Sequence, residues 1–192
     1  MKVSKDRSIA FAWTGMLGVA VFIIAWLCAD AIDTAWQFGV NTLSEFGISD
    51  TDASLYFNYG CCLIAGLLVA VFGVGRAACG KNVGHTAGGI FLFLGGVALI
   101  LVGFFTMDDD VAHKTVAASA ALFILLSMIA IAAGNWTADR KIFAGVGIVF
   151  IFVLIAMAIA YDLAELEAYG IILAMIWLLL ESMNMILSSR KG

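Results

Sequence analysis

Long apolar runs alternate with short charged gaps along this chain, and the sign of the charge alternates from gap to gap. Lys2, Lys5 and Arg7, then Arg76 and Lys81, Arg140 and Lys141, and Arg190 and Lys191 place nine of the ten Lys and Arg residues on one side. Lys114 alone lies on the other. That other side receives Asp30, Asp33, Glu45, Asp50 and Asp52, then Asp108, Asp109 and Asp110, then Asp162, Glu165 and Glu167, eleven of the fourteen carboxylates. Each apolar run is close to the ~20 residues a helix needs to cross a bilayer. The pattern predicts an all-α integral membrane protein, a compact bundle of six transmembrane helices in the cell membrane. Basic loops stay cytoplasmic, so both termini are expected inside and the acidic gaps outside.

Apolar residues make up 64% of the chain and charged residues only 12%, a composition that excludes an ordinary soluble globule. A net charge of −4 argues against nucleic-acid binding. The basic inner gaps suit anionic headgroups, which makes membrane lipids the expected partners; a homo-oligomer is compatible with the sequence. There is no proline, so glycine alone could interrupt a helix. The basic start and first apolar run resemble a signal peptide. Ile9 to Ala29, however, gives about 31 Å of helix, enough to span, and is read as retained.

The spans are expected at about 9–29, 54–75, 85–105, 115–134, 142–161 and 169–187, all within a single domain covering 1–192. Short connections after helices 2 to 5 predict antiparallel neighbours. Gly89, Gly96 and Gly103, with Gly88 and Gly95 beside them, recur every seven residues along helix 3, and Gly66 and Gly73 of helix 2 share that spacing. Small residues let helix backbones approach in lipid, so these glycines are read as a packing seam. The long connection from Asp30 to Ala53 is acidic yet carries Trp36, Phe38, Val40, Leu43, Phe46 and Ile48. It is expected to form a cap over the outer end, with Trp36 at headgroup depth.

Candidate chemistry gathers on the outer side. Asp108, Asp109 and Asp110 with His113 would suit a divalent cation, Ca²⁺ or Mg²⁺ on oxygens, Zn²⁺ or Mn²⁺ if the histidine joins. His113 could also act as a general base. The plain alternative is that the acids end one helix and favour the N-terminus of the next. In Asn41-Thr42-Leu43-Ser44-Glu45-Phe46-Gly47, Thr42 and Glu45 have capping-box spacing; the functional alternative has Ser44 and Glu45 facing His113.

Glu181 is the one carboxylate well inside a span, with Asn184 a turn further along the same face. An ionisable group at that depth must face protein or water. Arg76 and His85 are its expected partners, either in an interhelical clasp or in a proton or cation relay. Cys28 and Cys61 lie near the outer ends of helices 1 and 2, where a disulfide is chemically permitted, though burial as small apolar groups is commoner. Asn135-Trp136-Thr137 fits the glycosylation acceptor pattern, and a glycan there would overturn the orientation.

The stretch Asn41 to Gly47, Phe57-Asn58-Tyr59-Gly60, and Gly103-Phe104-Phe105 followed by Asp108 and His113 resemble the prokaryotic six-helix membrane family known as domain of unknown function 998. Thr106 stands where that family usually has proline, and the run of three aspartates is a further departure. The resemblance implies the six-helix fold and directs attention to Ser44, Asn58, Asp108 and His113 as one outer cluster, without assigning a reaction. The leading expectation is an outer-leaflet pocket lined by Ser44, Glu45, Asn58, Asp108 and His113, with Trp36 and Asn41 at its edge. It would bind a lipid headgroup, small ligand or divalent cation, or act as a lipid-directed hydrolase or transferase. The alternatives are a small cation or proton transporter using Glu181, and a structural membrane subunit.

Overall fold

The computed structural model describes residues 4–190; Lys2 and Lys191 of the basic clusters lie outside them. Six helices are long and apolar enough to cross a membrane: α1 (Lys5–Ile32), α2 (Ala53–Ala78), α3 (Val83–Phe104), α4 (Asp110–Thr137), α5 (Lys141–Ala160) and α6 (Leu163–Arg190). All six expected spans are present. Most run beyond the apolar stretch because polar residues at their ends continue or cap the helix. Ser4 accepts from the Arg7 amide to start α1, Asn82 accepts from the His85 amide to start α3, and Asp109 accepts from the Ala112 amide to start α4. Capping of these otherwise unpaired amides favours helix initiation at each point.

Helices adjacent in sequence pack against one another, and α6 returns to α1, which closes the bundle. The closest backbone-to-backbone joints at glycines are those of α3. A Cβ on Gly96 would stand 2.7 Å from the Gly66 carbonyl, and one on Gly89 would stand 2.7 Å from the Gly73 carbonyl. The relation is reciprocal, since a Cβ on Gly66 or Gly73 would come within 2.8 Å of Gly96 or Gly89 oxygen. Gly88 and Gly95 instead face α4, against Ile131 and Ile124. Helix α3 therefore carries two adjacent glycine rows, one for each neighbour, rather than one seam. Ser127 of α4 reinforces the second by donating to the Gly88 carbonyl at 2.8 Å.

The first half of α2 is wound as a π-helix over Tyr56–Ile64, and the Ala65 amide there reaches back to the Gly60 carbonyl. This turn brings the Asn58 carbonyl against α3, where a Cβ on Gly103 would stand 2.6 Å from it. Between α1 and α2 the long connection folds onto one end of the bundle, with a 3-10 turn at Leu43–Ile48. Its Trp36, Leu43 and Phe46 are buried in one cluster with Phe22, Ala29 and Phe57. At the other extreme α5 buries only Ala144 and Gly147, and most of its apolar surface faces outward.

Replacing Gly73 or Gly96 with Leu should destabilise the bundle by about 3 kcal/mol, because backbone rather than a movable side chain occupies the space. Gly145→Leu, with nothing within 4 Å, should leave thermal stability in detergent unchanged. Fluorescence-detected size exclusion after heating compares the three.

Candidate functional site

At the capped end the 3-10 turn presents its first residues to α6. The Ser44 hydroxyl donates to Glu167 at 2.9 Å, and the Leu43 and Ser44 amides face the same carboxylate. An acid at the start of a helical turn satisfies free amides and favours the local dipole. His113 is buried, and its Nδ1 stands 2.8 Å from the Phe105 carbonyl. That nitrogen must carry the proton, since a carbonyl only accepts.

The other candidates turn elsewhere. Glu45 accepts from the Thr42 amide at 2.7 Å, from its hydroxyl at 3.0 Å and from the Asn41 amide group at 2.7 Å. This is the reach-back of the capping box, and it leaves the carboxylate committed to its own turn. Asn58 donates to the Gly47 carbonyl at 3.0 Å, tying α2 to the cap. A Cβ on Gly47 would come within 2.9 Å of the Asn58 side-chain oxygen, so a larger residue there would push the Asn58 carboxamide aside. Asp108 is exposed and accepts from Thr106, Asp109 caps α4, and Asp110 pairs with Lys114 at 2.8 Å. The three aspartates thus diverge. Among the described residues no three His, Cys, Asp or Glu side chains come together as a metal site. Among the described residues no hydrogen bond joins Ser44, Glu45, Asn58, Asp108 or His113 to another of these five. Ser44 meets Glu167, Asn58 meets Gly47, and Asp108 stays in the turn. All four cysteines are free, and the Cys61 thiol points to the Phe22 carbonyl rather than to Cys28.

What the capped end does contain is a groove of about 400 Å³ between α1 and α6. Its walls are Val19, Ile23 and Leu27 on one side and Ile172, Ile176 and Leu179 on the other. Trp26, Asp30, Trp36 and Phe38 also line it. Trp36 is fixed there by donating its indole N–H to the Thr42 carbonyl at 2.9 Å and by stacking on Phe46 at 4.5 Å. Of the predicted site residues, only Trp36 borders the groove.

Near the end where α1 begins and α6 finishes, a second cluster joins four helices. Asn135 of α4 donates to Glu181 of α6 at 2.7 Å. The Asn135 carbonyl oxygen receives Asn184 at 2.9 Å, Arg76 of α2 at 3.5 Å and His85 Nε2 of α3 at 3.1 Å. His85 Nδ1 in turn accepts from the Lys81 amide, so the tautomer protonated on Nε2 satisfies both ring nitrogens. Arg76 and Glu181 form an ion pair at 3.8 Å with both side chains buried. Arg76 and His85 are therefore both brought to Glu181, His85 by way of Asn135. In the sequence Asn135 stands out only as part of a glycosylation sequon. It is fully buried, and its amide nitrogen is taken by Glu181, so the folded protein cannot offer it as an acceptor.

The family model described as Protein of unknown function (DUF998) matches residues 16–183. The chain belongs to this family. No curated protein and no solved structure matches this DUF998 protein. The match spans the groove and both clusters except for Asn184. Two of the residues that organise them were passed over in the sequence. Glu167 was visible only as one more outer acid. Its signal was a spacing of fourteen residues from Glu181, nearly four helical turns, which puts both acids on one face of α6.

The clasp makes a quantitative prediction. Arg76→Met or Glu181→Met should each cost about 3–5 kcal/mol, because the remaining charge is left buried without its partner. The double substitution should cost far less than the sum. A double-mutant cycle by thermal or chemical unfolding in micelles checks this.

Proposed function

We propose that this DUF998 protein binds a lipid of the outer leaflet, with an acyl chain held in the groove between α1 and α6. The capped end then faces outside and the termini the cytoplasm, as the charge alternation implies. The observation that carries the reading is the groove itself. It is apolar along its length, open to the side and bordered by polar and aromatic groups only toward the cap. Its volume lies in the range of small-molecule sites. Ile23, Leu27 and Ile176 keep substantial exposure, so a chain can enter from the bilayer without crossing a polar barrier.

The competing transport reading has less support. Glu181 is 1% exposed, its charge is opposed by Arg76, and both carboxylate oxygens receive amide donors from Asn135 and Asn184. An acid so occupied serves better to fix helices than to exchange ions. The hydrolase reading lacks a nucleophile–base pair of the expected kind, since Ser44 donates to a carboxylate that also holds the cap turn.

Filling the groove tests the proposal. In nanodiscs containing a photoactivatable diacyl lipid, cross-links should concentrate on the α1 and α6 residues of the groove. Ile23→Trp with Ile176→Trp should reduce them about tenfold, the loss expected when a site is sterically closed. Cross-links spread evenly around the bundle, unaffected by the substitutions, would refute it.

A further inference from the structure

The groove holds apolar contacts along most of its length, but its cap end has a different chemistry. Trp26, Trp36 and Phe38 all line it there. The Trp36 ring stands nearly perpendicular to both others, at 87° to Trp26 and 78° to Phe38, with centroids 6.5 and 6.3 Å away. Trp26 and Phe38 are nearly parallel, 16° apart with centroids 6.0 Å away. The three rings form an aromatic corner at the mouth of an apolar slot. Asp30, one helical residue beyond the buried Ala29, lines the same mouth. It is exposed and has neither a hydrogen-bond nor an ion-pair partner among the described residues.

We infer that the groove selects lipids whose headgroup carries an organic ammonium, seated between Asp30 and the rings of Trp26, Trp36 and Phe38; the inference rests on the lipid-binding reading above. Aromatic faces carry negative potential and attract organic cations, quaternary ammonium above all. A carboxylate alongside adds direct charge complementarity, and desolvation at the edge of an apolar slot strengthens both effects. Charge elsewhere at this end points the same way. Asp33 follows three residues after Asp30, and the Glu165 side chain lies near Gly39 of the cap. Among the described residues the one Lys or Arg at this end of the bundle, Lys114, is paired with Asp110 at 2.8 Å. An anionic headgroup would therefore meet acids and no free lysine or arginine, whereas an ammonium meets a carboxylate and three rings. Rigidity helps, because Trp36 is held by the Thr42 carbonyl and by Phe46. The aromatic corner is thus built before any ligand arrives.

The test uses the full chain in a nonionic detergent, with lysophosphatidylcholine and lysophosphatidylglycerol of the same chain length as probes, and native mass spectrometry as the readout. The choline lipid should be retained about tenfold more than the glycerol lipid, the scale of a partly desolvated cation–π site. Asp30→Asn and Trp26→Leu should each shrink that preference toward unity. Asp30 is exposed, so its substitution keeps the fold and the result remains interpretable if Trp26→Leu fails to fold. Equal retention of both lipids that is abolished by Ile176→Trp would overturn the ammonium selectivity and leave the groove reading standing. Retention insensitive to Ile176→Trp would overturn the groove reading and this inference with it. A preference for the glycerol lipid would overturn the inference directly.

Discussion

One carboxamide, that of Asn135, connects four of the six helices. In a bilayer, apolar contact alone distinguishes poorly between helix neighbours, since lipid tails are as apolar as leucine. Polar groups that cannot reach water must find each other, and each unmade bond is costly. Asn135 answers this by donating to Glu181 and accepting from Arg76, His85 and Asn184. The Arg76–Glu181 pair balances charge across the same point. Rotation of α2, α3, α4 or α6 about its axis would break a buried bond, so the cluster sets the angular register of the bundle. The glycine rows of α3 then set how closely α2 and α4 approach.

The opposite end is organised by a different carboxylate. Glu167 holds the first turn of the cap through Ser44, and Asn58 holds its last turn through Gly47. The cap is thereby secured to α6 and α2, while the groove it overhangs lies between α6 and α1. Glu167 and Glu181 share a face of α6, and each works where that face meets a different set of partners. One helix thus fixes both the packing at one end and the cover at the other.

The six spans, the antiparallel order, the apolar cap and the Thr42–Glu45 capping box were legible in the sequence because each rests on local pattern: run length, loop length, spacing. The pairing of Gly66 and Gly73 with α3 was legible for the same reason. Glu181 was recognisable from depth alone as a group that must face protein or water, with a clasp and a relay both open, and Arg76 and His85 followed as the basic groups near that depth. Other features depend on contacts between distant segments and leave little local trace. Nothing in Tyr56–Ile64 announces a π-helix, because no proline or charge marks it. The three aspartates looked like a unit in sequence, yet a helix start sends successive side chains in different directions. The groove was invisible because its two walls are about 150 residues apart in a chain whose apolar positions all look alike.

Helix α5 has a consequence for the protein's relation to its membrane. Its 20 residues measure about 30 Å, the thickness of a bilayer's hydrocarbon core, whereas the 28 residues of α1, α4 and α6 measure about 42 Å. The longer helices can place polar ends in water at many depths or tilts. Helix α5, apolar nearly from end to end and only lightly buried against its neighbours, has no such latitude. Mismatch against a thicker or thinner bilayer therefore falls first on α5, which acts as the bundle's depth gauge and sets the level at which the other five helices float.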